Sequence, residues 1–250
     1  MVDQHSQPQA NKLAHPCFPQ PVDTSVRVWR YLDLAKFIWL LENKKLYLPR
    51  IDLLNDPYEG SSTRLYALLR DQEHSGQISA LMRNITQHHR KSMYVNCWHL
   101  GNSESEAMWR LYCPNESGVA IQLTYRKLVV SIENDPFCYI GCVSYVDYDT
   151  QVFRVEGNSF SPVMHKRSSF AHEQEVRLVK THPDYWGVNS PGGPSGVTVD
   201  WSPEAMVDAI YVNPYAPEFY RDVVQSIVRR IAPALENQVI WSPMRAAPVY

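Results

Sequence analysis

Glu173, Glu175 and Arg177 are the residues whose types and spacing best suit chemistry. They stand two apart in His172-Glu173-Gln174-Glu175-Val176-Arg177-Leu178-Val179-Lys180, where β-forming apolar residues alternate with charged ones, so the spacing predicts a strand with all three side chains on one face. Two carboxylates on one face raise at least one pKa unless a cation lies close, and Arg177 can be that cation. From spacing alone, a solvated edge-strand ion pair accounts for the pattern.

Other candidates lie along the chain. Arg30 and Tyr31 end a first strand from Val26, and Asp33 can cap the helix that follows. Asn55-Asp56-Pro57-Tyr58-Glu59 is strong turn chemistry, because proline keeps Asp56 extended and Asn55 can bond the backbone that follows. A surface turn is sufficient to explain it; closing one side of a cleft is the functional reading. Met93 to His99 reads as a central strand with His99 at the end where sheets present ligand-facing residues, although a satisfied, half-buried histidine also fits. Trp109 and Tyr112 share a helix face, for which core packing is the default. Lys166 precedes the glutamates.

The elements that must position these residues run strand, helix, strand, two helices broken near Ser75-Gly76, then several strands with short helices between them. That order predicts an α+β fold: one mixed, mostly antiparallel central sheet, or two packed sheets, with helices around it. Residues 1–24, which contain Gln, Pro, Asn and His with few large apolar residues, read as a poorly ordered tail, and 25–250 as a single domain. The stretch from Tyr185 to Gly196 reads as a long surface loop. With 250 residues, 44% of them hydrophobic, the chain can bury a sizeable core.

Composition narrows the function classes. A formal net charge of -2 gives no overall pull toward nucleic acid or an anionic membrane. No apolar run is long enough to span a bilayer, and the first residues lack the basic-then-apolar order of a secretory signal. Five irregularly spaced cysteines read as reduced thiols, so a cytoplasmic setting is expected. There is no Gly-rich dinucleotide fingerprint, Walker loop, GxSxG elbow or HExxH, and no metal is expected.

Four motifs stand in order: Trp29-Arg30-Tyr31; Asn55-Asp56-Pro57-Tyr58-Glu59; Trp109-Arg110-Leu111-Tyr112 followed by Gly118-Val119-Ala120-Ile121; and Glu173-Gln174-Glu175-Val176-Arg177. Together they resemble a widespread bacterial family catalogued only as a domain of unknown function, over about Val28 to Ser242. His99 stands where that family often has serine after Cys97-Trp98. A second resemblance is to ADP-ribosyltransferases of the arginine–serine–glutamate type, and it carries an activity. It implies cleavage of the nicotinamide–ribose bond of NAD, with Glu175 as catalytic carboxylate and Glu173 orienting the acceptor. It also implies Arg30 on the pyrophosphate and Tyr31, Trp109 or Tyr112 stacked on nicotinamide, with His99 beside them. Asn55, Asp56, Glu59, Lys166 and Arg177 would line the cleft. NAD would then be the substrate, the acceptor macromolecule being unspecified. The alternatives are a Mg²⁺-dependent phosphodiesterase built on Asp56, Glu59, Glu173 and Glu175, which Arg177 on the shared face opposes, and a non-catalytic ligand-sensing domain.

Overall fold

The computed structural model describes residues 12–153, 158–185 and 192–248. Its centre is a seven-stranded sheet. β1 (Arg27–Leu32) leads into α1 (Leu34–Asn43), whose first turn is capped by the Asp33 carboxylate accepting from the Lys36 N–H at 2.8 Å. β2 (Lys45–Pro49) is stopped by its proline. α2 (Arg64–Glu73) and α3 (Gly76–Arg90) follow, the first capped by Thr63. β3 (Met93–Leu100) precedes α4 (Glu106–Tyr112), β4 (Val119–Thr124) and α5 (Tyr125–Val130). β5 (Cys138–Cys142) and β6 (Ser144–Val146) divide what the sequence presents as one strand, and they join different sheets. β7 (His165–Arg167), β8 (Glu175–Thr181), β9 (Gly196–Asp200), α6 (Pro203–Met206), β10 (Ala209–Val212), α7 (Phe219–Ile231) and β11 (Val239–Trp241) complete the chain.

The large sheet has the order β11-β10-β4-β1-β3-β8-β5; β2 pairs with β9 and β6 with β7 in two small sheets. Only the β10–β11 pair of the large sheet is parallel. The fold is thus α+β around one mostly antiparallel sheet, and not the alternative of two packed sheets.

Strand alternation sorts the interior into two faces. Val28, Leu32, Trp98, Val176, Leu178 and Ile210 share one large apolar cluster with α1 and α7. The other face carries two smaller clusters, one around Trp29, Tyr31, Met108 and Trp109, the other around Phe18, Met93, Val95 and Val163. Arg177, Glu175, Cys97 and His99 point to this second face by the same alternation.

The sheet is not closed along its whole length. β1 pairs with β4 at six positions, from Arg27–Thr124 to Leu32–Val119. β3 pairs with β8 at seven, from Met93–Thr181 to His99–Glu175. Between β1 and β3, only Val28–Leu100 and Trp29–His99 are paired. Past Trp29 and His99 the two strands diverge, and a wedge opens in the middle of the sheet.

Part of the expected tail is packed. Phe18 is buried, stacked on Tyr139 with ring centroids 5.2 Å apart. The Cys142 N–H donates to the Pro19 carbonyl, and Gln20 donates to the Ile140 carbonyl, so this segment runs along the outer edge of β5. The stacking partner of Phe18, Tyr139, and the Phe160 ring at its edge lie more than a hundred residues away in the chain. The first eleven residues, and 186–191 of the expected surface loop, lie outside the described residues. Gly141 is what admits the segment: a β-carbon there would fall 2.6 Å from the Phe18 Cα. A Gly141→Ala change is therefore expected to destabilise by about 1–3 kcal/mol through overpacking. Urea denaturation measures the loss, and cleavage within residues 13–24 by protease should become faster.

A buried ion cluster beside an aromatic-lined cavity

Arg177 is fully buried, and its guanidinium is saturated. Nε donates to Glu175 Oε1 at 2.6 Å and Nη2 to Glu175 Oε2 at 3.0 Å, while Nη1 donates to Glu59 Oε2 at 2.9 Å and to the Val163 carbonyl at 2.6 Å. Lys166 lies against the same carboxylates, with Nζ 2.6 Å from Glu173 Oε2, 3.2 Å from Glu175 Oε2 and 3.4 Å from Glu59 Oε1. Three carboxylates meet two cations, which leaves one negative charge in excess. Arg167 and Asp56 form a separate forked pair, at 2.8 and 3.1 Å, at the edge of the cluster.

Local structure explains how these groups meet. β8 presents Glu175 and Arg177 two apart on one face. Glu173 is not on that strand. It ends a 3-10 segment, Ser168–Glu173, and Gln174 turns the chain in the left-handed conformation, φ 41° and ψ 55°. A non-glycine residue there is strained, and the turn is what brings Glu173 back over the strand. The Asp56-Pro57-Tyr58-Glu59 turn keeps Pro57 and Tyr58 at the surface but buries both of its acidic side chains. Asp56 accepts the Tyr58 N–H at 3.1 Å, and the turn drives Glu59 down onto Arg177. Asn55 is exposed on its outer side.

The cluster opens on a cavity of about 40 Å³, next to the wedge between β1 and β3. Trp29, Tyr31, Cys97, His99, Met108, Tyr112, Glu173 and Glu175 contribute to its lining. Of the residues expected to act together, the structure gathers Glu173, Glu175, Tyr31, His99 and Tyr112 here, with Lys166, Arg177 and Glu59 directly behind. Trp109 packs behind Tyr31 as core, with its indole N–H on Glu104 at 2.9 Å. Arg30 points to the opposite face, over the Trp98 ring, and reaches only the Cys97 carbonyl at 3.0 Å. Adjacent strand residues alternate, so Arg30 and Tyr31 cannot share a face.

Two supports went unread in the sequence. The Tyr145 hydroxyl accepts the Glu175 N–H at 2.7 Å, and Trp29 forms part of the cavity wall. Trp29 is legible in retrospect, standing two residues from Tyr31 on one strand. Tyr145 carries no such signal.

Charge states follow from these contacts. Burial alone would raise Glu175, but Arg177 and Lys166 outweigh it and hold the carboxyl at about 2. Burial would lower Lys166, and Glu175 with Glu59 overcome that and push it above its ordinary 10.5. Burial lowers His99, so its imidazole is neutral at pH 7, with Nδ1 on the Glu173 carbonyl at 2.7 Å. Burial, aided by Glu175, raises the Cys97 thiol, which is therefore not a thiolate. Tyr31 and Tyr112 are also pushed up by burial, and both remain phenols.

Among the described residues no three His, Cys, Asp or Glu side chains form a metal-ligating group. Arg177 and Lys166 stand between the carboxylates that the phosphodiesterase reading would assign to a divalent ion. No described helix is long and apolar enough to cross a membrane.

Two outcomes are expected. Arg177→Met leaves Glu175 and Glu59 buried with one cation fewer and should cost about 3–5 kcal/mol in urea denaturation. The pH dependence has two limbs. The depressed Glu175 adds stability that is complete above its ordinary 4.5 and is lost as pH falls toward about 2. The raised Lys166 adds stability that is complete below 10.5 and is lost as pH rises through its higher folded value. The urea midpoint should fall on both sides, and Glu175→Gln should make the acid limb shallower.

No curated protein and no solved structure matches this chain. Residues 108–178, which run from Met108 on the cavity wall to the strand bearing Glu175 and Arg177, match the model of a family described as a protein of unknown function, DUF2971.

Proposed function

We propose that the cavity beside Glu173 is the reaction centre of an enzyme that cleaves the nicotinamide–ribose bond of NAD and transfers ADP-ribose to an acceptor or to water. The observation that carries this reading is the excess of three carboxylates over two cations behind an aromatic-lined cavity at the split of the sheet. Nicotinamide in NAD is a pyridinium cation, which aromatic faces and a fixed negative charge both favour.

The geometry suggests a different division of labour between the two glutamates from the one implied by family resemblance. Both oxygens of Glu175 are held by Arg177, and Oε2 is also within reach of Lys166. Glu175 is then a fixed charge that positions the pair of cations. Glu173 has one oxygen on Lys166 and lines the cavity, so it is the carboxylate available to a reacting centre. In the step proposed, the bond from ribose C1′ to the nicotinamide nitrogen breaks, and its electron pair neutralises the pyridinium. The positive charge that develops at C1′ is stabilised by Glu173. The oxygen of the acceptor or of water forms the new bond to C1′, and its proton passes to Glu173. With water the products are nicotinamide, ADP-ribose and a proton.

The cavity admits about one water at its present volume. Tyr112, which is 44% exposed, forms the outer wall on the short α4 and is the side chain that must swing aside. Trp29 and Tyr31 would flank the ring. The same charge and aromatic wall also support a second reading, a sensing domain that binds a cationic ring without turnover.

The test is incubation with NAD labelled in the nicotinamide and, separately, in ADP-ribose, with and without bacterial extract. Wild type should release nicotinamide, and Glu173→Gln should lower the rate about 100-fold or more with the melting temperature retained. Tyr112→Ala, which removes the side chain that must swing aside, should lower KM with a smaller change in kcat. Nicotinamide-ring binding without release would leave the sensing reading. Neither release nor binding would end both.

A further inference from the structure

We infer a second ligand site on the opposite face of the sheet: the groove between α1 and β2 binds a planar aromatic ring carrying an anionic group, phosphate or carboxylate. The inference is independent of the transferase reading, since the groove shares no lining residue with the cavity at Glu173.

The groove has a volume of about 570 Å³, the size of a small-molecule site and over ten times that of the cavity on the other face. Arg30 lies in its wall. Its guanidinium donates to the Cys97 carbonyl and sits over Trp98 at 5.8 Å, and among the described residues it has no carboxylate partner. Arg50, Arg167 and Arg177, by contrast, each meet a carboxylate. A half-buried guanidinium with donors left over is a recognition group for phosphate or carboxylate, which its planar fork fits in two-point contact.

The ring half of the ligand is set by Trp39 on α1 and Tyr47 on β2. Their rings meet edge to face, 6.0 Å apart at 81°, and both keep about two-fifths of their surface exposed, 38% and 42%. Gly196 on β9 makes room for the Tyr47 ring; a β-carbon there would fall 2.2 Å from its hydroxyl oxygen. Two aromatic rings standing at a groove mouth without burial leave a face each for stacking. Lys36 and Lys45 at the rim add positive charge; their partners are Asp33 at 2.7 Å and the almost fully exposed Asp200 at 3.7 Å. The charge is therefore positive on the Arg30 side of the sheet and negative on the Glu173 side. An anion is directed to one face and a cationic ring to the other.

The experiment is calorimetric titration of the full chain with adenosine 5′-monophosphate and with 2-naphthoate, and with adenosine and inorganic phosphate as half-ligands. Saturable binding of at least one of the two aromatic anions is expected, with both half-ligands about tenfold weaker or more. The tighter of the two anions identifies the anionic group. Trp39→Ala, at a partly exposed position that leaves the core intact, should weaken binding about tenfold, and so should Arg30→Gln where its melting temperature is retained. Glu173→Gln should leave this affinity unchanged, which separates the site from the reaction centre. No saturable binding of either anion, affinity unmoved by Trp39→Ala, or loss on Glu173→Gln would each overturn the assignment.

Discussion

Burying the guanidinium of Arg177 is the constraint on which this site depends. Taking one such ion out of water costs several kcal/mol even after relaxation, and only close, fully bonded carboxylates offset it. Glu175 arrives on the same strand, but one carboxylate leaves Nη1 uncovered. The chain fills that place from two other segments, the distant Glu59 at the end of a proline-fixed turn and the nearby carbonyl of Val163 in a 3-10 segment. Each carboxylate added to satisfy Arg177 is itself buried and needs a cation. Lys166, on the short β7, answers that need and draws in Glu173 as a third acid. The result fixes β8, β7 and the Val163 segment against one another and against the Glu59 turn, more than a hundred residues upstream. Such a network is poor at adding stability over an apolar core of equal volume. What it supplies is a defined arrangement of charge.

The sheet gives that arrangement a place to act. On one face α1 and α7 cover a continuous apolar cluster, and the Arg30 guanidinium lies against its Trp98. On the other face two smaller clusters leave a gap between them, and the ions occupy it. The divergence of β1 from β3 lies beside the same gap. It frees the carbonyl of Cys97, which Arg30 takes up from the far side, and exposes Tyr31 and His99 to the near side. One break in a hydrogen-bond ladder therefore produces two recesses of opposite character.

Local signals were legible where the physics is local. The cap at Asp33 and the period-2 pattern of β3 and β8 place elements within a residue or two of where the sequence puts them. The convergence of Glu173, Glu175 and Arg177 was legible too, though for a reason only partly right. Alternation accounts for Glu175 and Arg177, while Glu173 comes back through the left-handed Gln174, a conformation no residue type announces there. The burial of Asp56 and Glu59 depends on Arg167 and Arg177, 111 and 118 positions away, and no local pattern carries that. The separation of Arg30 from Tyr31 is the reverse case. Period-2 alternation required it, but grouping the two as one motif concealed it.

In the transfer proposed above, a carboxylate held this closely by a cation can still serve the reaction. A carboxylate accelerates bond cleavage only if it stabilises the transition state more than the ground state. NAD already carries its positive charge on the pyridinium ring, so a negative charge facing the ring alone would hold the substrate and gain nothing in rate. As the glycosidic bond breaks, that charge moves from the ring nitrogen to C1′ of the ribose. A carboxylate that faces C1′ gains attraction as the charge arrives there. Glu173 meets this condition best when it lies at the cavity's inner wall with the rings of Trp29 and Tyr31 farther out. Lys166 holds one of its oxygens and restricts its motion, so little reorganisation is needed as the charge shifts. Glu175, fixed by Arg177 at the same time, keeps Lys166 from being attracted wholly to Glu173 and so preserves the excess negative charge at the cavity. The saturated glutamate and the available one then have separate physical tasks, and neither can substitute for the other.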